Sequence, residues 1–290
     1  MTRKRIDTHR SAATECRAFG TAGLNGFVEG TPDERPPLVF LHGLTFDHRM
    51  WLPAIDALQR CDPGRQLLVL DLPGHGRSPM RPISVLDDVA AAVASAVEDA
   101  RFARPVIVGH SISGVVATIY ATTYPCSGVV DVDQELDTSF IGMLQGSRDA
   151  ISGPGFAQVW PGILASMRID LVPEAWQDLL NTGLPRQDVV LAYWREALET
   201  PLPVIEQRIT EGITRARQSQ TPIRIVAGHP YDAAYTAWLE QALPQATVTV
   251  VPNSGHFPHL ADPDGFARLL AETGGWGAPP VSTGAARGAS

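Results

Sequence analysis

The stretch Pro105-Val106-Ile107-Val108-Gly109-His110-Ser111-Ile112-Ser113-Gly114 decides how this chain is read. It begins with an apolar, β-branched run of strand length. Beyond Ser111 a small-residue helical pattern continues through Thr118, Ala121 and Thr122. Strand, very tight turn and helix follow one another, with one serine at the apex. Such a turn exposes the hydroxyl and sets the next backbone N–H beside it, which suits a nucleophile. A structural serine in a glycine-rich turn is the competing reading, and the flanking strand and helix weigh against it.

Outward from this stretch, short apolar runs recur at 38–41, 67–70, 129–132, 223–226 and 248–251, with weaker strand signals at 17–19 and 26–29. The strong runs do not alternate with polar residues, the pattern of strands buried on both faces of a parallel sheet. Helix-like stretches at 85–100, 112–123, 233–243 and 263–272 lie between them. Strands alternating with helices predict a three-layer α/β fold with a mostly parallel sheet. The rhythm breaks at 137–220, where helical patterns such as 175–180 and 189–198 occur without a strand. We therefore expect an α/β core at 1–136 and 221–273, a helical cap inserted between two strands at 137–220, and a disordered Gly/Ala/Pro/Ser-rich tail at 274–290.

The chain of 290 residues can bury a substantial core. Its net charge of −8, with no basic stripe to offset it, argues against nucleic acid or an anionic membrane as partner. Lys4 is the one lysine, and the arginine bias fits GC-rich coding. Cys16, Cys61 and Cys126 are too few and too far apart for a disulfide framework or zinc site. No apolar run approaches the ~18 residues of a membrane span, and no apolar segment follows the basic N-terminus, so a cytoplasmic protein is expected.

Four motifs carry a family resemblance: Leu41-His42-Gly43, then Asp71-Leu72-Pro73-Gly74-His75-Gly76-Arg77-Ser78, then Gly109-His110-Ser111, and Gly255-His256-Phe257-Pro258-His259. Their order and spacing resemble those of α/β-hydrolases, over about 37–270. One departure stands out: Ser113 holds the place of the second glycine in G-x-S-x-G, and Gly114 comes one residue later. The turn needs small side chains there, and serine is small enough.

A serine hydroxyl attacks only when a base takes its proton. His256 follows the run at 248–251 through a short loop, and loops at strand C-terminal ends are where ligands meet an open α/β sheet. There a neutral imidazole can accept the proton of Ser111 and return it to a leaving group. His42, His75 and His110 match motif positions usually read as structural; His229 and His259 compete poorly by position. The acid that fixes the imidazole tautomer has two candidates. Family members usually carry it after the run at 223–226, where Asp232 lies one residue off the common register and could simply cap the following helix. Some relatives carry it after the strand that follows the nucleophile helix, where Asp133 stands. Asp133 is preferred narrowly, and both stay open. The resemblance further implies oxyanion donors at the backbone N–H groups of Leu44 and Ile112.

The resemblance implies a serine hydrolase that cleaves a small, mostly apolar carboxylic ester or lactone through an acyl-enzyme, with no cofactor and no metal. Serine rather than aspartate at the apex counts against dehalogenase and epoxide hydrolase chemistry. Carbon–carbon bond hydrolases, perhydrolases, acyltransferases, iminopeptidases and non-enzymatic ligand receptors share the motifs and remain alternatives. A small-molecule ester is the partner expected, and homodimerisation stays open.

Overall fold

The computed structural model describes residues 17–21, 23–180 and 182–272. The tail at 274–290 lies outside them.

Among the described residues, eight strands form one sheet. In chain order they are β1 (Arg17–Thr21), β2 (Leu24–Glu29), β3 (Leu38–Leu41), β4 (Leu67–Asp71), β5 (Val106–His110), β6 (Gly128–Val132), β7 (Ile223–Ala227) and β8 (Ala246–Val250). The spatial order is β1-β2-β4-β3-β5-β6-β7-β8. The hairpin β1–β2 joins β4 antiparallel, and the remaining six strands run parallel. The expected α/β class and parallel core are therefore present.

Why these runs are apolar, apart from Asp131 and Arg224, follows from the two cores they feed. Side chains alternate across a strand. Val39, Leu41 and Ile107 enter one cluster, shared with α2 (Leu86–Asp99) and α3 (Ile112–Thr123). Leu38, Phe40, Val106 and Val108 enter the other, shared with α1 (Leu52–Cys61) and the C-terminal helix at Pro263–Ala271. Each buried side chain of this kind stabilises by about 1.5–3 kcal/mol.

One expectation fails. The sequence predicts burial on both faces for the run at 248–251, yet among the described residues β8 is an edge strand paired with β7 alone, and Val248 and Val250 are 44% and 37% exposed. No residue of Ala246–Val250 is buried, so both faces of β8 are open although its Thr–Val alternation would suit one buried face.

Between β6 and β7 come α4 (Ser139–Gly146), α5 (Arg148–Ser152), α6 (Phe156–Ser166), α7 (Glu174–Gln177), α8 (Gln187–Glu199) and α9 (Leu202–Ser219). This insertion straddles the sheet: Phe156, Trp160, Val190 and Trp194 extend one cluster, and Val172 and Leu180 extend the other. Helix α9 returns to the core, where its Ile213 and Ala216 join the cluster that contains α3. Tyr193 Oη donates to the Pro73 carbonyl (3.1 Å), which pins α8 to the 71–78 loop. After β7 comes α10 (Ala233–Ala242), and after β8 come α11 (Pro258–Ala261) and α12, the C-terminal helix at Pro263–Ala271.

Candidate active site

Ser111 stands between β5 and α3 with φ 55° and ψ −133°, a conformation that L-residues rarely adopt. Backbone strain of this kind costs of order 1–3 kcal/mol and persists only where the surroundings over-determine it. Here Ser111 N donates to the Val132 carbonyl (2.9 Å), and Gly114 N donates to the Ser111 carbonyl (2.6 Å). Gly109 is obligatory, because a Cβ there would lie 2.0 Å from the Ser113 carbonyl oxygen. Strand and helix thus cross at backbone contact, and the serine is pushed to the apex.

His256 comes from the loop after β8. Its Nδ1 lies 2.7 Å from Asp133 Oδ2, across 123 residues of chain. With Nδ1–H donating to the carboxylate, Nε2 is left as the basic nitrogen. The backbone of His256 is held from two sides. His110 Nε2 donates to its carbonyl (2.7 Å), and its own N–H donates to the Met167 carbonyl of the insertion (3.0 Å). The His110 and His256 rings lie 4.6 Å apart, so the imidazole sits over the residue that precedes Ser111.

Asp133, just past β6, is itself at φ 58°. Its N–H continues the β6–β7 ladder by donating to the Val226 carbonyl (2.9 Å), and its Oδ1 accepts from Gly228 N (2.6 Å). Both carboxylate oxygens are therefore bonded. Asp232, the alternative acid, instead caps α10 by accepting from Tyr235 N (2.8 Å). The structure brings Asp133 and His256 together and leaves Asp232 on the helix.

The segment from His42 to Thr45 follows β3 beside the serine. A Cβ on Gly43 would lie 2.5 Å from His110 Nδ1 and 3.2 Å from Ser111 Cβ, so only glycine permits this approach. His42 accepts at Nε2 from Leu72 N (2.9 Å), which leaves Nδ1–H to donate to the Gly43 carbonyl (2.8 Å). His75 does the same for the next turn: its Nε2 accepts from Thr45 N (3.0 Å) and its Nδ1 bonds the Pro73 carbonyl (3.0 Å). Burial lowers the pKa of His42, and it pulls that of His75 to about 3, aided by the charge of His42. Both rings are thus neutral near pH 7, the form these bonds need.

Asp131 on β6 is fully buried, and among the described residues no side chain pairs with its carboxylate, which has the Gln134 backbone amide nearby. Burial, and secondarily the charge of Asp133, raises its pKa well above that of an ordinary carboxyl, which favours the protonated form. His259 is likewise fully buried, with no hydrogen-bond partner on either ring nitrogen among the described residues; its ring lies tilted 4.4 Å from that of Trp51, and burial lowers its pKa to about 3.

Among the described residues, Asp47, His48 and Asp71 could each offer one atom to a metal. Their atoms are already engaged: Arg49 pairs with Asp47, while His48 and the Arg77 amide bond Asp71, whose pKa falls to about 2 despite burial because of these bonds. Cys61 and Cys126 are free thiols; Cys16 lies outside the described residues. No helix among the described residues is long and apolar enough to cross a membrane.

The sequence model of the alpha/beta hydrolase family matches residues 38–269. The chain belongs to the alpha/beta hydrolase family. It is 28% identical over 248 residues to the dihydrolipoyllysine-residue acetyltransferase component of an acetoin cleaving system from Cupriavidus necator, covering 80% of this chain and 62% of that one. It is 24% identical to the sn-1-specific diacylglycerol lipase of Mus musculus, covering 80% and 78% of the two chains. Its fold is similar to the crystal structure of a putative aryl esterase from Burkholderia cenocepacia, with a TM-score of 0.68 and 21% identity over 89% of this chain and 97% of that one.

Sequence reasoning missed the brace that Met167 gives to His256, the second bond to Asp133 from Gly228, and the hydroxyl of Ser113, which donates to the His42 carbonyl (2.6 Å). None has a sequence signal, since the partners are backbone groups far away along the chain.

Proposed function

We propose that this alpha/beta hydrolase is a serine esterase that acts on a small, mostly apolar carboxylic ester or lactone. Ser111 attacks the carbonyl carbon while His256 Nε2 takes its proton. The imidazolium then protonates the leaving alkoxide, and water activated by the same imidazole cleaves the acyl-enzyme. Asp133 holds the tautomer and stabilises the imidazolium, and the amides of Leu44 and Ile112 bind the oxyanion. The carrying observation is the 2.7 Å bond between His256 Nδ1 and Asp133, in a histidine whose carbonyl is tied to the residue before the serine.

The insertion acts as a cap over the sheet edge. Phe140, Trp194, Trp160 and Phe156 form a chain of ring contacts at 5.7–6.5 Å that packs the cap helices on one another. The mouse relative named as a lipase and the Burkholderia fold neighbour named as an esterase support ester chemistry. The test is turnover of p-nitrophenyl esters graded by acyl length, with water and short alcohols competing as acceptors. Acid release with a pre-steady-state burst of nitrophenol is expected; no turnover of any ester, or dominance of transfer to alcohol, contradicts the assignment.

A further inference from the structure

The position two residues after Ser111 departs from the usual glycine, and the departure has a structural consequence. Ser113 is fully buried in the first turn of α3. A helix hydroxyl commonly bonds back into its own helix, as Thr118 Oγ1 does to the Gly114 carbonyl (3.0 Å). Ser113 Oγ instead donates across 71 residues of chain to the His42 carbonyl, at 2.6 Å.

We propose that Ser113 is a positioning residue that sets the orientation of the Leu44 amide through this bond. The inference rests on the reading of Ser111 as nucleophile. Two peptide planes meet at Gly43, which has no side chain of its own to anchor them. The His42 carbonyl belongs to the first plane, and Ser113 fixes it. The Gly43 carbonyl belongs to the second plane, which also carries the Leu44 N–H; the His42 imidazole and Phe46 N bond it. Glycine is the residue with the most rotational freedom at both dihedrals. The two bonds to the Gly43 carbonyl restrain the second plane from its carbonyl side alone, so releasing the first plane lets the second tilt about them, and with it the amide that would meet developing negative charge. Preorganised donors stabilise a transition state because they need not reorient during reaction. Ser113 also lies one step beyond Ile112, the other donor, so the tether keeps both amides in register with the same helix start. A glycine at 113 would keep the turn but lose the tether.

The experiment compares full-length wild type with Ser113→Ala, Ser113→Gly and Thr118→Ala on a p-nitrophenyl ester that wild type hydrolyses. Inhibition is measured in parallel with a trifluoromethyl ketone, which adds the serine and forms an oxyanion, and with its methyl ketone counterpart. Loss of one complete oxyanion donor costs ~10²–10³ in rate, and a loosened one should cost about 10-fold. We expect both Ser113 variants to lose about that factor in kcat with KM unchanged, and to bind the trifluoromethyl ketone weaker by a similar factor. Methyl ketone binding should stay constant, and Thr118→Ala should keep wild-type kcat. Unchanged kcat, equal weakening of both ketones, or an equal kcat loss in Thr118→Ala overturns the proposal. If Ser113→Ala does not fold, Ser113→Gly, which restores the common residue of this turn, decides alone. A wild type inactive on every ester strikes at the reading of Ser111 instead, and so is told apart from failure of the tether.

Discussion

Asp133 and His256 meet at 2.7 Å while Asp232, the other acid in the right part of the chain, is committed to the N-terminus of α10. Exchanging the two acids therefore separates catalysis from stability. Asp133→Asn should lower kcat by about 10³–10⁴, because the amide favours the wrong imidazole tautomer. Asp232→Ala should leave kcat unchanged and cost about 1 kcal/mol of unfolding free energy through the lost cap. Steady-state kinetics and urea unfolding of the two variants check both halves.

The buried carboxyl of Asp131 makes stability depend on pH in a definite direction. Its folded pKa is raised above that of the unfolded chain. Its contribution is thus complete below the unfolded carboxylate pKa of about 3.9 and declines as pH rises towards the folded value, because the unfolded state ionises first. Asp131→Asn cannot ionise. Its thermal midpoint should exceed that of wild type by more at pH 8 than at pH 4, as scanning calorimetry at the two pH values will show.

His259 acts in the opposite sense. With its pKa lowered to about 3 by burial, it supports the fold fully above the unfolded histidine value of about 6.5. That support is lost as pH falls through about 3, because the unfolded state takes up the proton first. His259→Leu should flatten the acid limb of the stability profile between pH 6.5 and 4, read as urea midpoints. An unchanged slope would show that the other buried histidines, His42, His75 and His110, carry the whole effect.

Gly43 is where the sheet-edge segment touches the nucleophile turn. Gly43→Ala puts a methyl group 2.5 Å from His110 Nδ1, inside any normal contact distance. Displacement of the Leu44 amide should then lower kcat by ~10²-fold or more, near the loss of a complete donor. Circular dichroism of the variant should show the secondary structure retained.

Much of this was legible in the sequence for physical reasons. Strands buried on both faces need largely apolar residues, so β3 and β5 stand out as unbroken apolar runs, and β6 and β7 as apolar runs broken once each, at Asp131 and Arg224. The turn at Ser111 is equally plain, because backbone contact between strand and helix demands small residues at fixed offsets. Helix α1 (Leu52–Cys61) is not among the helices expected from the sequence, although Pro53 marks its first turn. The choice between Asp133 and Asp232 could not be made from spacing, because both follow strands whose C-terminal ends point to one edge. What separates them is a backbone bend at Asp133, and positive φ in an aspartate leaves no mark in the sequence. The Ser113 substitution was visible as a letter, but its meaning needed the carbonyl of His42.

The central claim is that Ser111 is a nucleophile activated by His256. Incubation with a fluorophosphonate followed by peptide mass spectrometry tests it most directly. The account predicts one adduct on Ser111 in wild type, none in Ser111→Ala, and labelling slowed by orders of magnitude in His256→Ala. An adduct on another residue, or a Ser111→Ala protein that labels and hydrolyses p-nitrophenyl esters like wild type, would contradict it.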